Sequence, residues 1–123
     1  MARAQQLAGQ ALGNLVCQQM AEHSLARCLS DPAQLARITD PALCHGWAGL
    51  IATAFCAAAD ARSPDISAHL PRLIDTLLEH VHADDSPPER GPGLIEGSAG
   101  VALTLHSVTT PTNPRWLTCL LLN

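Results

Sequence analysis

Lysine and tyrosine do not occur in this 123-residue chain, and its aromatic side chains amount to two tryptophans and one phenylalanine. The seven cations are all arginines set against eleven carboxylates, for a net charge of −4, and they form no basic stripe. That composition leaves no electrostatic footprint for nucleic acid. So few aromatics, in a chain whose hydrophobic 47% is mostly Ala and Leu, argue against a β-sandwich and for closely packed helices. A long hydrophobic run is lacking too. The longest apolar stretch, Trp47 to Ala59, contains Thr53 and is shorter than the roughly 20 residues a membrane-spanning helix needs. The first residues have no signal-peptide apolar core, and five cysteines (Cys17, Cys28, Cys44, Cys56 and Cys119) make an odd number without disulfide-framework spacing. A reducing, cytoplasmic setting fits that pattern.

Among what is there, Cys44-His45-Gly46 carries the most information. It sets two metal-ligand side chains at the mouth of the apolar run Trp47 to Asp60. Thiolate and imidazole are ligands zinc favours, and the following glycine allows a turn that lets both face one ion. A catalytic zinc takes three protein ligands and keeps a fourth position open, so this pair is a partial set. Taken on ligand chemistry alone, such a pair is more often structural than metal-binding.

The same run returns 51 residues later, with Gly97-Ser98-Ala99-Gly100 matching Gly46-Trp47-Ala48-Gly49. Ile95 and Glu96 stand where the first copy has Cys44 and His45. A G-x-A-G turn followed by an apolar helix, repeated around an amphipathic helix, predicts a helical-hairpin array, all-α, in a single domain with repeats around 44–60 and 94–108.

Further helices are expected at Ala2 to Leu12, stopped by Gly13, with Leu7, Ala8, Ala11 and Leu12 on one face. Another is expected at Val16 to Leu29, with Cys17, Met20, Ala21, Ser24 and Cys28 as its core stripe. Asp31-Pro32 reads as a cap and first helical position for a short turn through Ile38. Asp65 to His82 is amphipathic, with Pro71 either kinking it or sitting in the first turn of a helix that begins near Leu70. Its apolar stripe runs Ile66, Leu70, Leu73, Ile74, Leu77, Leu78 and Val81. Residues Ala83 to Gly93 read as an exposed loop, Ser98 to Val108 as a second inner helix, and Thr109 to Pro114 as a link to a terminal segment around Trp116. His80 and His82, beside Asp84 and Asp85, read as a solvated helix end, Cys56 and His106 as structural. Trp47 is compatible with lining a cavity or with packing in the core.

The stretches Leu43 to Gly49, Gly93 to Leu103 and Trp116 to Leu122, with the lead-in Asp31 to Pro41, resemble the lanthionine synthetase C-like family. The resemblance covers nearly the whole chain, which looks like the C-terminal part of such a protein. It implies an arc of an α/α toroid (an α/α barrel) and one zinc ion held by Cys44, His45 and a third cysteine from a W-C-Y-G motif. No W-C-Y-G occurs here, and the motif is expected upstream of Ala2, as are the acid/base residues, so no catalytic residue is assigned. The implied activity is zinc-dependent cyclisation, in which cysteine thiolates add to dehydroalanine or dehydrobutyrine to form the thioether rings of lanthipeptides. The implied partners are a dehydrated precursor peptide and a lanthipeptide dehydratase, and the chain alone is expected to be inactive and to bind zinc weakly. A zinc-free helical scaffold or degenerate gene product of the same fold is the alternative. An α/α-toroid enzyme acting on carbohydrate is disfavoured, since such sites lean on carboxylates and aromatic platforms.

Overall fold

A computed structural model describes residues 1–83, 91–110 and 115–122. Among them the regular structure is helical throughout: α1 (Ala2–Ala11), α2 (Leu15–Ser30), α3 (Pro32–Leu35), α4 (Trp47–Asp60), α5 (Leu70–Ala83) and α6 (Ser98–Thr109). Short 3-10 turns at Ser67–His69 and Arg115–Leu120 complete it. The all-α expectation holds.

Helix α4 is the centre. Ala48, Ile51, Ala54 and Ala57 have no solvent exposure, because α1, α5 and α6 all pack against this one helix. Its alanines let those neighbours come close. Leu25 and Leu29 of α2, Leu35 of α3, Leu73 and Leu77 of α5, and Val101 of α6 join it in a single core. Each such side chain contributes about 2 kcal/mol on burial. Cys56 is buried there as expected, and its burial pushes the thiol up, against the smaller opposing pull of Arg3.

Helix α5 settles the question that Pro71 raised. The helix begins at Leu70, with Pro71 in its first turn where a missing N–H costs nothing, and a 3-10 turn leads into it. Leu73 and Leu77 are buried, whereas Val81 at the end of the expected stripe is 40% exposed. The expected loop Ala83 to Gly93 and the link Thr109 to Pro114 fall largely on residues 84–90 and 111–114, outside the described residues. Asp84 and Asp85 lie there too. Asp31 caps α3 as expected, accepting from the Ala33 and Gln34 amides at 2.9 and 3.4 Å, and this helix stops at Leu35, short of Ile38.

The first hairpin corrects two expected faces. Gly13 does end α1, in the left-handed region at φ +62°, and Asn14 caps α2 through the Cys17 amide. The buried face of α1, however, is Arg3, Gln6 and Gly9, while Leu12 is 80% exposed. In α2 the buried residues are Gln18, Ala21, Glu22, Leu25 and Leu29. Of the expected stripe only Ala21 is buried; Met20, Ser24 and Cys28 are exposed and Cys17 is half-buried. A polar network selects these faces. Gln6 donates to Glu22 (3.0 Å) and to the Ala57 carbonyl (3.0 Å), and Gln18 donates to the same Glu22 oxygen at 2.8 Å. Arg3 bonds Gln6 (2.6 Å), Asp60 (2.7 Å) and the Leu122 carbonyl (2.8 Å), so one guanidinium joins α1, the end of α4 and the terminal segment. Gly9 allows the approach, since a Cβ there would lie 2.7 Å from the Gln18 nitrogen.

Candidate metal-binding loop

Residues 40–46 wind around the N-terminus of α4 and take up its free amides with their own carbonyls. Trp47 donates to the Asp40 carbonyl (2.8 Å), Ala48 to that of Pro41 (3.2 Å), and Gly46 to that of Ala42 (3.1 Å). No side chain caps this helix, so the loop itself does the capping. The Asp40 carboxylate steadies the turn by accepting from the Ala42 amide at 2.7 Å.

The second copy repeats this geometry. Gly46 and Gly97 both stand at the helix N-cap in the same extended conformation, φ −112° and ψ −165° against φ −110° and ψ −175°. At Gly49 and Gly100, the space a Cβ would need is filled by the carbonyl oxygen six residues earlier, of Leu43 and Leu94 respectively. Ser98 donates to the Gly91 carbonyl (3.3 Å) as Trp47 does to that of Asp40. The two loops lie side by side, joined by the Cys44 amide donating to the Ile95 carbonyl at 2.9 Å. Glycine spacing in the sequence therefore records a backbone packing rule that both copies share.

Cys44 and His45 sit at the crown of the first loop, and both side chains are exposed. His45 has 62% of its side-chain surface open, with its Nε2 3.7 Å from Asp40 Oδ2. A carboxylate behind an imidazole is the arrangement that fixes the orientation of metal-bound histidines. Adjacent thiol and imidazole donors fit zinc in type, and they number two: among the described residues no three His, Cys, Asp or Glu side chains form a metal-sized group.

The other singled-out residues stand apart from this loop. Cys28 and Cys119 are exposed, and no cysteine is in a disulfide. His80 and His82 each donate from Nδ1 to the carbonyl four residues back, Thr76 (2.8 Å) and Leu78 (2.6 Å), since a carbonyl can only accept. His106 is exposed on α6, its Nδ1 3.4 Å from the Thr110 hydroxyl. Trp47 is 5% exposed and packs its ring 5.5 Å from that of His80, so it belongs to the core, and it also lines a cleft. The second inner helix is less enclosed than the first, with Ala102, Leu103 and His106 open on one side.

One feature went unread in the sequence. A cleft of about 380 Å³ lies between α3 and α5, with Trp47, His80 and Arg72 among its lining residues. Its residues are spread from Pro32 to His80, and only tertiary packing assembles them.

A helical-hairpin array with a doubled G-x-A-G turn, one copy crowned by Cys44 and His45, is the pattern of an α/α-toroid protein. The chain belongs to the lanthionine synthetase C-like family, whose model matches residues 1–121. That family has the α/α-toroid fold, and the described helices form an arc of it. Comparison with curated proteins and with solved structures returns no significant match.

Proposed function

We propose that the Cys44–His45 loop supplies two zinc ligands to a peptide cyclase of the lanthionine-forming class. The observation that carries this reading is the pair's placement: two adjacent donors, both exposed at the mouth of α4, with Asp40 behind His45. Family membership supports it. Zinc, when bound, favours the thiolate form of a thiol at neutral pH. Cys44 and His45 hold the ion and are not covalent nucleophiles. The Asp40 carboxylate stands 3.7 Å from the imidazole Nε2, and its hydrogen bond from the Ala42 amide keeps it in place. The reaction joins a cysteine sulfur of a dehydrated precursor peptide to the β-carbon of dehydroalanine or dehydrobutyrine, while one proton moves to the α-carbon. Nothing is lost from the peptide.

The third ligand and the proton-transferring group come from outside the described residues, and a dehydratase supplies the unsaturated substrate. Exposed free thiols at Cys28, Cys44 and Cys119 suit a reducing, cytoplasmic compartment. No helix among the described residues is long and apolar enough to cross a membrane. A zinc-free scaffold of the same fold is the second reading.

Cyclisation separates the two. In a protein carrying the complete ligand set, Cys44→Ala or His45→Ala should abolish enzyme-dependent loss of free thiol from a dehydrated peptide. Cys28→Ala should leave it nearly intact. Undiminished ring closure in the Cys44→Ala/His45→Ala double variant refutes the zinc reading.

A further inference from the structure

The cleft between α3 and α5 has the features of a binding site, and it takes no part in the Cys44–His45 reading. At about 380 Å³ it falls within the range of small-ligand pockets. Leu35, Ile38 and the Trp47 ring give it an apolar wall, and no carboxylate among the described residues lines it. Arg72 supplies its charge. One guanidinium nitrogen donates to the Leu29 carbonyl at 2.8 Å, which fixes the group in place, and the other N–H groups meet no carboxylate among the described residues. The lining therefore carries a positive charge unmatched from within, held by an anchored guanidinium suited to a carboxylate. His80 adds an acceptor, because donation from Nδ1 to Thr76 leaves the lone pair of the neutral ring on Nε2.

An apolar wall, an anchored cation and a neutral acceptor match three parts of one chemical unit: an apolar side chain, a carboxylate and an amide N–H. We propose that this cleft binds the C-terminal residue of a peptide, apolar in side chain and with its carboxylate free. A phosphate group is a poorer fit, since among the described residues a single arginine and no second cation line the cleft. A metal is poorer still, His80 being the only imidazole there and no thiol or carboxylate joining it.

The two tryptophans provide the test. Trp116 donates its indole N–H to the Ser107 hydroxyl at 2.9 Å, whereas the buried Trp47 indole N–H meets no partner among the described residues. Their N–H resonances are therefore distinct probes, one on a residue that lines the cleft and one on a residue that does not. Titrating the 123-residue chain with N-acetyl-leucine at millimolar concentrations should shift the Trp47 resonance saturably and leave that of Trp116 in place. N-acetyl-leucinamide, which lacks the charge, should bind at least about tenfold more weakly, and Arg72→Gln should weaken N-acetyl-leucine by a similar factor. An unmoved Trp116 resonance in Arg72→Gln shows that the variant is folded. A Trp47 resonance that does not shift, or equal binding of the acid and the amide by the unaltered protein, overturns the proposal.

Discussion

Replacing Glu22 by glutamine isolates the network that set the buried faces of α1 and α2. One carboxylate oxygen accepts from Gln6 and Gln18 at 3.0 and 2.8 Å, and the other accepts from the Arg62 amide at 3.1 Å. An amide has one acceptor oxygen. Whichever way the substituted side chain turned, its NH₂ would face a donor, either the Arg62 amide or the two glutamine side chains, and the remaining bonds would lose their charge assistance. At about 1.5–3 kcal/mol for a hydrogen bond to a charged group, Glu22→Gln should cost about 2–4 kcal/mol at neutral pH. Stability for a chain of this size is on the order of 6–18 kcal/mol, so the variant should fold and unfold earlier in urea. Burial by itself would raise the Glu22 carboxyl. The hydrogen bonds from Gln6, Gln18 and Arg62, with the charge of Arg62, outweigh it and hold the group below its ordinary value of 4.5. A folded-state value below the unfolded one means that the carboxylate stabilises fully above pH 4.5, and that this contribution fades as pH falls through the folded value. The gap between wild type and Glu22→Gln should therefore narrow on acidification. Asp31 is held low by Gln34 and the Ala33 amide and fades in the same direction, but it is common to both proteins and cancels in their difference. Urea midpoints followed by circular dichroism from pH 7 down to pH 3 give the comparison. Equal stability at pH 7, or a gap that stays constant on acidification, would refute the reasoning.

Three shorter predictions follow from the same geometry. Alanine for glycine inside a helix ordinarily stabilises by up to about 1 kcal/mol, but at Gly49 or Gly100 the added methyl meets the Leu43 or Leu94 carbonyl, so Gly49→Ala and Gly100→Ala should each destabilise by about 1–3 kcal/mol. A urea midpoint that rises in either variant counts against the loop packing. Thr104 is 1% exposed and its hydroxyl has no partner among the described residues, so Thr104→Val should raise stability by about 1 kcal/mol; a lower melting temperature would mean the hydroxyl is bonded after all. The third is the loss of ring closure in Cys44→Ala and His45→Ala, with Cys28→Ala as the control.

What could be read in advance, and what could not, follows from the kind of signal each element carries. Helix α4 was legible to the residue, since an apolar run between Gly46 and Asp60, interrupted by a polar side chain only at Thr53, leaves one assignment open. Pro71 narrowed the start of α5 to two choices, and the missing N–H of proline decided between them. The doubled G-x-A-G turn was visible as spacing, although only coordinates show that Gly49 and Gly100 admit carbonyl oxygens. The faces of α1 and α2 were misjudged because hydrophobic periodicity counts Met20 and Cys28 as core and Gln6, Gln18 and Glu22 as surface. A long-range hydrogen-bond network reverses that order once each polar atom is satisfied. Cys44 and His45 announced themselves by adjacency, while Asp40, five residues before His45, became part of the loop only when the backbone curled around the helix end.

Cobalt(II) spectroscopy on the reduced chain tests most directly whether Cys44 and His45 ligate metal. With two of three ligands in hand, binding should be weak, yet a thiolate-to-cobalt absorption band should appear and should report Cys44 itself. The account predicts a band that disappears in Cys44→Ser, weakens in His45→Ala and persists unchanged in Cys28→Ser and Cys119→Ser. A chain that gives no such band, or one whose band survives Cys44→Ser, would contradict the assignment of this loop as a metal site.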